Sequence, residues 1–249
     1  MTSTSESESE NENRYIDFIS NKQFKALVKE NIWNPYKKKS NEISNSKIFH
    51  KNVIDPIRVM IDQKLRGITY QNWKDGEIAR QLDKTLSNLI GNFWQIFFGS
   101  IPGWTDLVKG TESKGVDLYH KETNTWIELK MKHNTCNSGQ IKNIIRDLKE
   151  IVDEDETATA VYAYLIPKNC KSENKIWSKA NHPRIKLISG TELFKLITGD
   201  KKDIIKINNA LEKCLDDIRK EEGLEEHTIH NTRSRPDFLT KCFGKIKID

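Results

Sequence analysis

Asp117, Glu128 and Lys130 are the residues of this chain whose types and spacing point most directly to chemistry. They lie in Gly115-Val-Asp-Leu-Tyr-His120, Lys121-Glu-Thr-Asn124 and Thr125-Trp-Ile-Glu-Leu-Lys-Met131. Both flanks alternate as half-buried strands do, so the stretch is expected to form a β-hairpin. Trp126, Glu128 and Lys130 share one face of the second strand; Ile127, Leu129 and Met131 share the other. In the first strand Val116 and Leu118 are expected to point one way and Asp117 the other. A four-residue loop, Lys121–Asn124, pairs His120 with Thr125 and sets Asp117 opposite Glu128. Opposed residues on one face have Cβ atoms about 4.5–5.5 Å apart. Two carboxylates at that separation repel unless a cation lies between them. Mg²⁺ suits the position, because it takes hard oxygen ligands and is commonly held by one or two carboxylates plus substrate phosphate. Lys130, one pleat along, is placed to hold the attacking water or to stabilise charge on the phosphorane. The chemistry expected is metal-assisted cleavage of a phosphodiester.

The elements around the hairpin read as a layered α/β fold. Ile78–Phe98 is expected to be a helix ending at Gly99, with Ile78, Leu82, Leu86, Leu89, Phe93 and Phe97 on its apolar face. Gln81, Asn88, Asn92 and Gln95 form a separate amide stripe, and Gln95 is the candidate to orient a water or a phosphate. After the hairpin, Ile141, Ile144, Ile145, Leu148, Ile151 and Val152 define an amphipathic helix. Ala158–Ile166 is a buried strand stopped by Pro167, and Arg184–Ile188 is a short strand. Helices are expected over Gly190–Ile197 and Lys202–Lys220. Strand, helix and strand in succession imply a crossover, and hence a mixed β-sheet flanked by helices. Before this core lies an N-terminal helical region. Tyr15, Phe18, Ile19, Phe24, Leu27 and Val28 form a helical stripe that Pro35 is expected to break. A further helix begins near Asp55-Pro56 and carries Ile57, Met60, Ile61 and Leu65.

Composition sets limits on function. The chain has 249 residues, 36% of them hydrophobic and 31% charged, with a net charge of +5. Residues 1–13 carry four glutamates and no base; the remainder holds 41 basic and 32 acidic residues, a net of +9. Such a basic body suits a polyanionic partner. Residues 1–13 are of low complexity and are expected to be a disordered acidic tail. Residues 14–249 are expected to be a single domain: helical over 14–77, the core over 78–200, then a helix and basic tail over 201–249. Cys136, Cys170, Cys214 and Cys242 have no C-x-x-C spacing, so neither a zinc site nor a disulfide scaffold is expected, and a reducing cytoplasm fits. No apolar run approaches a membrane span and no signal peptide is evident.

The polar run after the second strand holds His133, Asn134, Thr135 and Asn137, positioned to contact DNA, with phosphate positioning favoured over base readout. Arg233 and Arg235, in a basic C-terminal stretch, are candidate guanine or phosphate contacts.

These residues resemble the PD-(D/E)xK nuclease superfamily: Asp117 matches the Asp and Glu128-Leu129-Lys130 the (D/E)xK, with Val116 in place of the proline. Further likeness lies in Asp83-Lys-Thr-Leu86, Asn88-Leu-Ile-Gly-Asn-Phe-Trp-Gln95, Gly103-Trp104, Glu128-Leu-Lys-Met-Lys-His-Asn-Thr135, Ser189-Gly190 and Thr198-Gly199. Together they resemble type II restriction endonucleases of the family that includes enzymes cutting GGNCC. The resemblance implies a restriction-endonuclease-like core and a Mg²⁺-dependent homodimer that makes a double-strand cut in DNA. It also implies metal ligation by Asp117, Glu128 and the Leu129 carbonyl, with Lys130 as the catalytic lysine. A DNA methyltransferase protecting the host would be the functional partner. The chain departs from many superfamily members in offering no acid on the relevant stripe of the helix before the hairpin. The alternatives are a repair or recombination nuclease or nickase with the same core, a non-catalytic DNA-binding module, and a hydrolase of small phosphoesters. The last would need more His and Asp than this chain supplies.

Overall fold

The computed structural model describes residues 15–43, 45–107, 114–224, 239, 242 and 243. The chain divides into two compact units, Ala26–Phe93 and the segments on either side of it.

The flanking segments build a six-stranded mixed sheet. Its strands are β1 (Trp104–Asp106), β2 (Leu118–His120), β3 (Thr125–Lys132), β4 (Thr159–Ile166), β5 (Asn174–Ile176) and β6 (Ile185–Ser189), in the order β1-β2-β3-β4-β6-β5. β1, β2 and β3 pair antiparallel, β3, β4 and β6 pair parallel, and β5 closes the edge antiparallel. The crossover from β3 to β4 is the helix α6 (Ser138–Glu154), as parallel strands require. Asn137 caps it: its side chain accepts from Gln140 N–H while the Gln140 side chain accepts from Asn137 N–H, both at 2.9 Å. Arg184 satisfies the far end, donating to the carbonyls of Val152, Asp155 and Ala158.

α6 buries Ile144, Leu148, Ile151 and Val152 against Ala160, Tyr162, Tyr164, Ile185 and Leu187. Helices α7 (Thr191–Thr198) and α8 (Asp203–Glu221) complete this unit, α7 packing on β4 and β6. The end of the long helix α5 (Tyr70–Gly99) contributes Trp94, Phe97 and Phe98. Phe97 is fully buried, with ring contacts to Phe18, Phe24, Trp94 and Phe98 at 5.8–6.1 Å. Gly99 is required where it stands, because a Cβ there would come within 2.6 Å of the Asp106 backbone.

In Ala26–Phe93 a smaller core gathers Phe49, at the end of the short helix α3 (Ser46–Phe49), with Val59 and Trp73, and Ile54, Ile68 and Ile78 pack against it. The helix α4 (Pro56–Arg66) starts as expected, with Asp55 accepting from Ile57 and Arg58 N–H. Its orientation differs from expectation. Val59 is the residue it buries, whereas Ile57 is 64% exposed and Leu65 81%. Periodicity identifies an apolar stripe but not which stripe meets the core.

Pro35 also acts differently. α1 (Asn21–Val28), a π-helical turn (Lys29–Trp33) and α2 (Asn34–Glu42) follow without a break. The proline falls in the first turn of α2, where the π-turn has already displaced the hydrogen-bond ladder and a missing N–H costs little. The stretch Tyr15–Ser20, expected to begin the helix, is non-helical.

Candidate active site

The hairpin has the expected register, Leu118↔Ile127, Tyr119↔Trp126 and His120↔Thr125, around the turn Lys121–Asn124. Asn124 adopts a positive φ of 45° at its end. The Asn124 side chain donates to Asp155 and Thr157 at 2.7 Å and accepts from the Trp126 indole at 2.9 Å, which ties the turn to the entrance of β4.

Asp117 stands just beyond the last paired residue. Its N–H donates to the Ile127 carbonyl at 2.9 Å, so Asp117 and Leu118 both oppose Ile127, and Asp117 does not fall directly opposite Glu128 as the loop length alone predicts. Two residues against one is a β-bulge, a device that re-aims a side chain at the end of a ladder. The bulge also upsets the expected alternation: Val116 packs with Tyr119 and Trp126 in the α6-side core rather than with Leu118.

The re-aimed carboxylate accepts the Leu129 N–H at 2.7 Å. In an extended strand the N–H and C=O of one residue face the same edge, so the Leu129 carbonyl is directed to Asp117's side as well. Lys130 Nζ lies 3.9 Å from Asp117 Oδ2 and forms an ion pair with Glu128. Glu128 is only 7% exposed. One ammonium group therefore serves two carboxylates, Glu128 buried and Asp117 half-buried.

The electrostatics follow from that shortage of positive charge. Burial raises the Asp117 pKa, and Lys130 and the Leu129 amide offset this only in part. Burial, then the charge of Asp117, pushes Glu128 up to about 7. Burial alone would lower Lys130, but Glu128 and Asp117 outweigh it and raise its pKa. Between the ordinary glutamate range and about 7, the folded chain holds a proton that the unfolded chain has released. This group's contribution to stability is therefore lost as pH rises through about 7. In metal-free buffer, Glu128→Gln will reduce the fall in melting temperature between about pH 5 and about pH 7. A parental slope in the variant would show that the carboxyl titrates normally.

The remaining candidates are spread more widely. Gln95, near the end of α5, donates from its amide to Asp106 on β1 at 2.9 Å, and Asp106 is in turn an electrostatic neighbour of Asp117. The expected amide stripe does not act as one surface. Gln81 is buried and donates to Phe49 C=O and Glu77, whereas Asn88 and Asn92 face solvent. His133, Asn134 and Thr135 are exposed in the loop after β3, with the Thr135 hydroxyl donating to Lys132 C=O. Asn137 is exposed too, its side chain engaged in the α6 cap. Arg233 and Arg235, like the acidic residues 1–13, lie outside the described residues.

Three residues near the site escape sequence reasoning. Asp106 lies on a three-residue strand too short to show alternation. Cys136 has no motif spacing, yet it neighbours Lys130 and Tyr162. Tyr162 lies in a run that reads as uniformly apolar, but it pairs with Glu128 and shares its face. The Tyr-x-Tyr alternation at 162 and 164 was the available signal.

A mixed sheet with helices on both faces, carrying an Asp, a Glu and a Lys at the junction of a hairpin and a parallel strand, defines a nuclease of the PD-(D/E)xK class. Comparison with known proteins agrees. The model of the Eco47II restriction endonuclease family matches residues 16–220, and the chain belongs to that family. It is 26% identical over 219 residues to the type II restriction enzyme Sau96I of Staphylococcus aureus, covering 82% of this chain and 81% of that protein. It is 27% identical over 223 residues to the type II restriction enzyme Eco47II of Escherichia coli, covering 84% and 90%. It is thus a type II restriction endonuclease, of a family that uses divalent metal ions and acts on double-stranded DNA. Among the described residues no helix is long and apolar enough to cross a membrane.

Proposed function

We propose that Asp117, Glu128 and Lys130 form the catalytic centre, that Mg²⁺ is the working ion, and that a homodimer cuts the two strands with one centre each. The observation that carries this reading is the position of Lys130, whose ammonium stands in for a cation by pairing with Glu128 beside Asp117. The donor set fits Mg²⁺. It offers two carboxylates and the Leu129 carbonyl, all hard oxygens, and leaves coordination positions for water and phosphate. When bound, the ion supplies charge neutralisation at the scissile phosphate and activates water.

The chain's own groups supply the rest. Leu129 N–H fixes the Asp117 carboxylate. Lys130, freed from Glu128, donates to a phosphate oxygen or to the attacking water. The exposed His133, Asn134, Thr135 and Asn137 contact the backbone near the cut, and Gln95 positions Asp106 behind Asp117. Arg233 and Arg235 remain candidate DNA contacts. The enzyme works in the cytoplasm beside a methyltransferase that protects the same sequence.

The test is a digest of a sequenced, unmethylated plasmid with GGNCC sites, with Mg²⁺ or with EDTA. Discrete bands with Mg²⁺ and none with EDTA are expected, each end mapping to one recognition sequence. A smear, or cutting that persists in EDTA, would overturn the reading.

A further inference from the structure

Tyr162 carries a polar group that the site just described does not use. Its hydroxyl is buried and has no partner with ordinary hydrogen-bond geometry, only the weakly accepting Cys136 thiol beside it, and the residue as a whole is 3% exposed. A buried hydroxyl without a good partner is costly, so such an exception needs a reason. The position supplies one. Tyr162 is paired with Glu128 across the parallel β3–β4 ladder, so the two side chains share a face. Its ring is stacked on Trp177 at 4.6 Å and 16°, which fixes the direction of the hydroxyl. The polar neighbours of that hydroxyl are the Cys136 thiol and the Glu128 carboxylate. Tyr164, two residues on, is a useful contrast, because its hydroxyl is already engaged with Glu173 at 3.0 Å.

We propose that Tyr162 is a positioning residue for Glu128, its hydroxyl donating a hydrogen bond to that carboxylate once Lys130 has given it up. This rests on the assignment of Glu128 as a metal ligand. In the ion-free chain Glu128 is paired with Lys130. With a divalent cation bound, Glu128 would no longer need Lys130, and the lysine would be free to turn toward the phosphate. One Glu128 oxygen then needs a donor, and Tyr162 is a neutral phenol with its proton to spare. The unpaired hydroxyl of the free enzyme is thus the reserved partner of the loaded one.

The inference gives Tyr162→Phe an unusual pair of signs. Removing an unpaired buried hydroxyl leaves the melting temperature of the metal-free protein unchanged or raises it. The same change weakens metal binding. Mn²⁺ titrated into the DNA-free protein, with free ion read by electron paramagnetic resonance, should show about a tenfold higher dissociation constant, as loss of a hydrogen bond to a charged group gives. Tyr164→Phe should bind Mn²⁺ as the parent does. Two results overturn the inference: Tyr162→Phe with parental Mn²⁺ affinity, or weakened binding with a lower melting temperature, which marks a structural role. Glu128→Gln separates this failure from that of the assignment beneath it. If Glu128→Gln keeps parental Mn²⁺ affinity, the ligand assignment itself is wrong; if it loses affinity while Tyr162→Phe does not, only the role of Tyr162 falls.

Discussion

Asp117→Ala will lower Mg²⁺-dependent plasmid cleavage by about 10³-fold or more, the scale of losing a group that acts only in the transition state. Asp117 is held by the Leu129 amide at 2.7 Å and faces Lys130 at 3.9 Å, so its removal frees an amide and a lysine and takes away a carboxylate of the proposed metal site. Lys130→Ala should fall to a similar rate by another route: the carboxylates remain, but the cation that must reach the phosphate is gone. Groups that work as a unit are not additive, so the double variant should be no slower than about the slower single. Single-turnover cleavage measures the loss, and gel shift in Ca²⁺ checks that binding survives. Cutting by Asp117→Ala within about tenfold of the parent would sink the assignment.

Phe97→Ala will destabilise the protein by about 3–5 kcal/mol, the range for emptying a fully buried aromatic site. At about 2–4 °C per kcal/mol for a chain of this size, the melting temperature should fall by about 6–20 °C. Phe97 has no exposed surface and meets four other rings, so a void there cannot be filled by a rotamer change of one neighbour. Differential scanning calorimetry measures the fall. A loss of less than about 3 °C would show that the aromatic cluster can close over the gap.

The centre of the site was legible because it depends on local rules. Alternation fixes which residues share a face, and loop length fixes what lies opposite, so the His120↔Thr125 pairing followed from the turn alone. The core strands and helices were legible for the same reason, since each is long enough to show its period. What sequence reasoning missed is set by tertiary contact. β1 and β5 have three residues each, too few to show a period, and are strands only through the neighbours they pair with, β2 and β6. The face buried by α4 is decided by Phe49 and Trp73, both outside that helix. The bulge at Asp117 requires the backbone of β3 to accept two successive residues, which alternation cannot express. Tyr162 was hidden because a buried strand masks which of its side chains has a polar tip left over.

The bulge and turn also bear on how such a chain can diverge. The turn Lys121–Asn124 lies largely at the surface, where insertions and deletions are ordinarily tolerated. Here one residue gained or lost between Asp117 and Glu128 shifts the register by one and sends a carboxylate to the opposite face. Asn124 adds a second restraint by tying the turn to Asp155 and Thr157. The loop is free to change its side chains at Lys121 and Glu122 but not its length, so an exposed stretch of this chain is held as tightly by counting as the core is by packing.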